Sequence, residues 1–263
     1  MSDTPDQPET RDLLNAPAAA PRSTQDDEAR QLPKRFYSEA SARPRETGFA
    51  VDLDGRPLKT PKRAALVVPT HALALAIAGE WNALTDVIDP EQLPLTKLAN
   101  TALDGITGRE REVHDDIVRY IGNDLLFYRA DLPAPLVARQ AAAWDPVLAW
   151  FSSVWRAEFR TTTGVMPVEQ NLVAVAKAAS ALTNATAMTL APLHAMTTLT
   201  GSALLTIAHL EGQLTLDDVW HAAHIDEDWQ IEKWGHDTEA AERHAKRRAE
   251  LQSTADFLGM LER

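Results

Sequence analysis

The chain has 263 residues, a formal net charge of −12 and no cysteine. This length is sufficient for a substantial hydrophobic core, and the lack of cysteine excludes disulfides, thiolate metal ligands and cysteine nucleophiles. The negative charge disfavours nucleic acid as a partner. Stable membrane insertion is not expected either, because the sequence contains no run of about 18 apolar residues.

The first 33 residues differ in composition from the rest of the chain. They are rich in proline, alanine and acidic side chains and contain few large apolar residues. Such a segment cannot bury enough apolar surface to offset the entropy that it would lose on ordering. We therefore predict a disordered acidic tail over residues 1–33, which also lacks the apolar segment of a signal peptide.

Residues 34–88 predict a small β-rich module. Segment 48–61 predicts a β-hairpin, because its first apolar residues alternate with small or polar ones. Asp54-Gly55 is a favoured two-residue hairpin turn. A third strand is predicted within residues 64–70, and it is expected to end at Pro69 or to lie at a sheet edge, because proline cannot donate to a β-ladder.

An all-helical domain is predicted for residues 89–263. Thr70 is a suitable N-cap for a helix just before this domain, and Thr215 for a helix within it. Helices are predicted for segments 71–84, 92–106, 109–122, 168–183, 191–210 and 216–223. Segment 225–262 is expected to form one or two more helices. The fold class is therefore mainly α, with an N-terminal antiparallel β-sheet packed on a multi-helical C-terminal domain.

Four large apolar residues recur at helical spacing between these segments. Trp144, Leu148, Phe151 and Trp155 follow one another at intervals of four, three and four residues, which places them on one helical face. We expect this face to pack in the core. Pro146 should lie at a helix start or at a kink.

The sequence carries none of the familiar catalytic motifs, such as a phosphate-binding glycine loop, a GxSxG elbow or an HExxH pair. We therefore expect a protein that is not an enzyme and needs no cofactor. The alternative is a metal-dependent enzyme that uses His221, His224 and Asp228, which share a helical face. Surface histidines placed by chance explain this spacing more simply.

Segment 224–237, HIDEDWQIEKWGHD, combines large aromatics with carboxylates. Trp229 and Trp234 are five residues apart, so their rings cannot point the same way on an ideal helix. One indole is expected in the core and the other near the surface. Aromatic anchors surrounded by charge are typical of protein-binding surfaces, so we predict a partner-binding site made of Asp226, Glu227, Asp228, Trp229, Glu232, Trp234 and Gly235.

The same segment resembles a known signature. WQIEKWG at 229–235, with the acidic run before it, is similar to the C-terminal signature of the ATP synthase assembly chaperones that bind the alpha subunit of the F-one sector. Other blocks that resemble this family occur in the family's order and cover most of the chain: RFY at 35–37, GFAVDLDGRPLKTP at 48–61, AGEWNAL at 78–84, LPLTKLANTALD at 93–104, DLLFYRAD at 124–131 and LVARQAAAWDPVLAWF at 136–151.

The resemblance implies a chaperone that holds the unassembled alpha subunit until the beta subunit replaces it. It also implies that one acidic residue among Asp226, Glu227 and Asp228 is functionally important, and we favour Glu227. Because the N-terminal tail is acidic, we expect the protein in the bacterial cytoplasm rather than in the mitochondrial matrix. We also expect it to be a monomer. A helical scaffold for another partner is a further alternative.

Overall fold

The computed structural model describes residues 32–164, 166–235 and 237–261. An N-terminal antiparallel sheet is followed by a long series of α-helices, which confirms the predicted fold class. The predicted disordered tail falls outside the described residues except for Leu32 and Pro33. The Pro33 carbonyl accepts a hydrogen bond from Ile88 N at 2.7 Å, so Pro33 contacts the chain just after the helix that spans His71–Ala83.

The sheet is built around one central strand. Its strands are β1 (Ala40–Arg45), β2 (Gly48–Leu53), β3 (Arg56–Pro57) and β4 (Val67–Val68). Strand β2 pairs antiparallel with the other three. Asp54 and Gly55 adopt positive φ angles of 46° and 78° and form the predicted turn, and β4 ends before Pro69 as predicted.

Helix α1 (His71–Ala83) closes the sheet from one side. The Thr70 side chain accepts a hydrogen bond from Leu73 N, as the N-cap prediction requires. Trp81 is buried on this helix, and its indole Nε1 donates to Thr96 Oγ1 at 3.0 Å. Sheet, α1 and the segment around Thr96 therefore share one hydrophobic core.

The remaining helices surround a second, larger core. They are α2 (Pro94–Asn100), α3 (Glu110–Gly122), α4 (Ala134–Trp155), α5 (Leu172–Ala179), α6 (Ala187–Thr200), α7 (Ala203–Leu210), α8 (Leu216–Ala223), α9 (Ile225–Trp234) and α10 (Thr238–Leu261). Helix α2 continues into a π-helical turn over Thr101–Ile106. Two short parallel strands, β5 (Tyr128–Arg129) and β6 (Thr162–Thr163), flank α4 in the chain and were not predicted.

One helix prediction is wrong. Segment 191–210 was expected as a single helix, but Gly201 adopts φ 68° and separates α6 from α7. Of the two positions predicted for Pro146, the structure excludes the helix start, because Pro146 lies inside α4. The predicted core face of α4 is confirmed for Trp144 and Phe151, which are buried, whereas Trp155 is only half-buried.

Helix α10 runs along both cores. Phe257 is buried in the N-terminal core, while Leu251 and Leu258 are buried in the larger one. Thr70 Oγ1 donates to the Met260 carbonyl at 2.6 Å and fixes the end of α10 beside α1. None of the helices within the described ranges combines the length and the apolar composition that crossing a bilayer requires.

Candidate functional site

The acidic segment lies on α9, between α8 and α10. Helix α8 begins with a capping box in which Thr215 and Asp218 exchange hydrogen bonds. Ile225 is buried at the start of α9 and anchors it in the larger core. The helix ends at Gly235, which adopts φ 90° and donates its N–H to the Ile231 carbonyl at 2.9 Å. These anchors leave the outer face of α9 exposed.

The first turn of α9 holds the three consecutive carboxylates. A helix N-terminus favours negative charge, so Asp226, Glu227 and Asp228 occupy a position that offsets their mutual repulsion. Asp226 is also held from α4, because Gln140 Nε2 donates to its Oδ1 at 2.7 Å. Gln140 is itself buried and accepts a hydrogen bond from Ala130 N. Asp226 is therefore a fixed member of the run.

The other two carboxylates are paired more loosely. Glu227 Oε1 lies 3.6 Å from Arg247 Nη1, and Glu227 Oε2 lies 3.7 Å from His224 Nε2. Asp228 Oδ1 lies 4.0 Å from His244 Nε2. These separations exceed hydrogen-bond distance, so both side chains can exchange their present neighbours for a closer cationic partner.

Trp229 is held by cationic side chains on a half-buried surface. The Arg139 guanidinium carbon lies 4.9 Å from the Trp229 ring centroid, and Lys233 Nζ lies 4.6 Å from it. Arg139 also makes a bidentate ion pair with Glu232, with N–O distances of 2.6 and 2.8 Å. These hydrogen bonds lower the pKa of Glu232 and raise the pKa of Arg139. Glu232 thus orients the arginine against the indole.

Trp234 is the most exposed of the large hydrophobic side chains identified on the described surface, with 88 % of its area accessible. The expectation that one of the two indoles enters the core is therefore wrong. Trp229 is half-buried under Arg139 and Lys233, and Trp234 extends into solvent at the end of α9. An exposed tryptophan beside carboxylates is the residue type that most often anchors a protein–protein contact.

Comparison with known proteins identifies the family. Residues 34–152 match the family described as "ATP12 chaperone protein". The crystal structure of Atp12 from Paracoccus denitrificans is 39 % identical and superposes with a TM-score of 0.82, covering 87 % of this chain and 98 % of that one. The chain belongs to the ATP12 chaperone family. It is therefore an ATP synthase assembly chaperone, as the sequence resemblance indicated, and this membership implies binding rather than catalysis.

Two further structures resemble this ATP12 chaperone. A protein from Agrobacterium tumefaciens, described as a chaperone candidate, is 45 % identical with a TM-score of 0.84, covering 88 % of this chain and 87 % of that one. An aspartate-to-lysine variant of the Paracoccus denitrificans protein is 39 % identical, with a TM-score of 0.82 and coverage of 87 % and 98 %.

The histidines of this ATP12 chaperone do not form the group that the metal-enzyme alternative requires. Among the described residues, the potential metal ligands that converge are His224, Glu227 and His244, and His221 is exposed outside this group. Sequence spacing alone could not identify His244, because it lies on α10 and reaches the site only after the chain turns at Gly235.

Proposed function

We propose that this ATP12 chaperone binds the unassembled alpha subunit of the F-one sector through the exposed face of α9 and releases it when the beta subunit takes its place. The binding site consists of the predicted residues Asp226, Glu227, Asp228, Trp229, Glu232, Trp234 and Gly235. The same proposal places the protein in the bacterial cytoplasm, where this client would be synthesised.

The observation that carries the proposal is the exposure of Trp234. Covering an indole buries about 150–250 Å², which at about 25 cal/mol per Å² contributes roughly 4–6 kcal/mol before ordering costs. A partner that covers this ring gains that contribution, whereas the free chaperone does not. Gly235 follows Trp234 directly and ends the helix. Because glycine has no side chain, it does not cover the indole ring.

The carboxylates in the first turn of α9 supply charge complementarity. The alpha subunit is a nucleotide-binding protein, and surfaces that become buried in its assembled ring can offer arginines or lysines to the chaperone. Glu227 and Asp228 can form charge-assisted hydrogen bonds with such groups, because their present neighbours lie 3.6 to 4.0 Å away. Such pairs favour the correct partner and speed association.

Two variants test the site. Trp234→Ala and Glu227→Lys should each lose most of the ability to suppress aggregation of purified alpha subunit, while their melting temperatures stay within a few degrees of wild type. Leu172→Ala is the matched apolar control, since Leu172 is 82 % exposed on α5. Glu112→Lys is the matched charge control, since Glu112 is an ion-paired carboxylate in the first turn of α3.

Both controls should protect the alpha subunit as wild type does. Full protection by both site variants would reject this surface. Capture of another protein from the host lysate, with no interaction with purified alpha subunit, would instead support the helical-scaffold alternative.

A further inference from the structure

Three potential metal ligands converge where the end of α8, the first turn of α9 and the second turn of α10 meet. His224, Glu227 and His244 each offer one ligand atom, and these atoms all lie within 4.8 Å of one another. Within this group, His224 Nε2 lies 3.7 Å from Glu227 Oε2. His224 lies at the junction of α8 and α9, Glu227 on α9 and His244 on α10, so the group exists only in the folded chain.

The His224 ring is prepared to act as a ligand. Its Nδ1 lies 2.8 Å from the Trp220 carbonyl oxygen, and a carbonyl only accepts hydrogen bonds, so Nδ1 carries the proton. The neutral ring then has its lone pair on Nε2. A second ring nitrogen that donates to a carbonyl is the usual arrangement of metal-binding histidines.

The ligand nitrogen of His224 is buried. The residue is only 2 % exposed, and its Nε2 has no hydrogen-bond partner among the residues that the structure describes. A buried polar atom in this condition costs free energy unless something binds it. The Nε2 of His244 is also buried and unpartnered within the described ranges.

Trp220 fixes both imidazoles. Its ring centroid lies 3.7 Å from that of His224 and 4.7 Å from that of His244. The two imidazole rings are 5.1 Å apart and nearly perpendicular. The indole thus supplies an apolar wall behind the two nitrogen ligands and restricts the rotation of both rings.

The charges around the group are mixed. Arg247 Nη1 lies 3.6 Å from Glu227 Oε1, on the carboxylate oxygen that does not face His224. Glu227 can therefore keep the arginine while its other oxygen binds a cation. Asp228 Oδ1, 4.0 Å from His244 Nε2, adds a negative charge beside the group. Because Arg247 opposes a bare cation, the site favours a metal that bonds strongly to imidazole.

We propose that His224, Glu227 and His244 form a binding site for Zn²⁺ or a similar divalent transition metal. Two imidazoles and a carboxylate are ligands that zinc prefers, and bonds of about 2.0–2.1 Å place tetrahedral ligand atoms about 3.3 Å apart. The present atoms are somewhat further apart than this. The exposed Glu227 and the partly exposed His244 can close the difference by side-chain rotation, and the bound metal joins α9 to α10.

The test uses the full chain without a histidine tag, stripped of metal with a chelator and then dialysed. Titration with Zn²⁺ against a chromophoric chelator should show one equivalent bound, and Co²⁺ should give the visible absorption of a tetrahedral site. His244→Gln should weaken Zn²⁺ binding at least about tenfold. Zn²⁺ should raise the melting temperature of wild type but not that of His244→Gln.

His221→Gln is the control, because His221 is an exposed histidine on α8 that lies outside the group. It should bind Zn²⁺ as wild type does. Equal affinities for wild type and His244→Gln, or binding well below one equivalent, would overturn the proposal. Loss of binding in His221→Gln but not in His244→Gln would assign the metal to another set of ligands. Trp234→Ala should retain Zn²⁺ binding, which separates this result from any failure of the client-binding proposal.

Discussion

At the scale of single residues, Asp124 is the most deeply buried charge in the described chain. It is 0 % exposed, and its carboxylate accepts hydrogen bonds from Ser202 Oγ at 2.6 Å, Leu204 N at 3.0 Å and Leu126 N at 3.2 Å. One side chain thus caps the short turn that follows α3 and also holds the start of α7. Burial nevertheless raises the pKa of Asp124 from 3.8 to about 6.

This pKa shift predicts a pH dependence of stability. Between pH 4 and pH 6 the native state keeps a proton on Asp124 that the unfolded state has released, so stability falls as pH rises through this window. The total contribution is about 3 kcal/mol, of which roughly 1 kcal/mol is lost between pH 5 and pH 7. Asp124→Asn cannot titrate. The free energy of unfolding of wild type, relative to that of Asp124→Asn, should therefore be about 1 kcal/mol higher at pH 5 than at pH 7. Denaturant unfolding of both proteins at the two pH values measures this difference. A constant gap would show that Asp124 does not titrate between pH 5 and pH 7 in the native state, against the prediction.

Two tryptophans on one face of α4 should differ in their contribution to stability. Trp144 is 1 % exposed and its Nε1 donates to the Ala222 carbonyl at 2.8 Å, whereas Trp155 is half-buried. Trp144→Ala should cost about 3–5 kcal/mol, and Trp155→Ala clearly less, because part of its surface already contacts water. Denaturant midpoints of the two variants check this order. Equal costs would mean that half-buried Trp155 stabilises the protein as much as fully buried Trp144, which contradicts the burial argument.

At the scale of elements, the break between α6 and α7 depends on two adjacent residues. Gly201 adopts φ 68°, a left-handed conformation that ends α6. The Ser202 side chain then accepts a hydrogen bond from Leu205 N at 3.0 Å and starts α7. The apolar spacing continues through this point, so periodicity alone predicted one helix where the local capping residues produce two.

Gly201→Ala should destabilise the protein by about 1–2 kcal/mol, the cost of a left-handed conformation for a residue with a Cβ atom. A Cβ at Gly201 would meet no atom within 4 Å, so the cost is conformational rather than steric. Gly79→Ala is the control, because Gly79 lies inside α1 with the same free space, and alanine should stabilise that helix by up to about 1 kcal/mol. Thermal unfolding should move the two variants in opposite directions, and a stabilised Gly201→Ala would contradict the capping argument.

Elements defined by local signals could be predicted, whereas those defined by distant partners could not. The Asp54-Gly55 turn and the Thr70 cap are encoded in adjacent residues, and both were found from sequence. Strands β5 and β6 have two residues each and pair across more than thirty positions, so no periodicity reveals them. The same holds for the candidate site. Its acidic and aromatic residues are visible in the sequence, but Arg139, 93 residues before Glu232, is not.

At the scale of the whole molecule, α10 connects the two cores. Met188 and Leu261 pack against both of them, so the boundary between sheet module and helical bundle is a packed interface. The chain therefore returns from the candidate site on α9 to the N-terminal sheet through one 24-residue helix. Loss of packing at the end of this helix should therefore destabilise both parts of the protein.

Phe257 tests this coupling. It is 0 % exposed in the N-terminal core, so Phe257→Ala removes a buried aromatic ring and should cost about 3–5 kcal/mol. Because α10 also packs in the larger core, hydrogen exchange should accelerate in peptides from β2 and from α7 alike, rather than in β2 alone. Gln252→Ala, an exposed change on the same helix, should leave both sets of peptides unaffected. Faster exchange confined to the sheet would show that the two cores unfold separately, and that α10 transmits no stability between the N-terminal module and the helices that position α9.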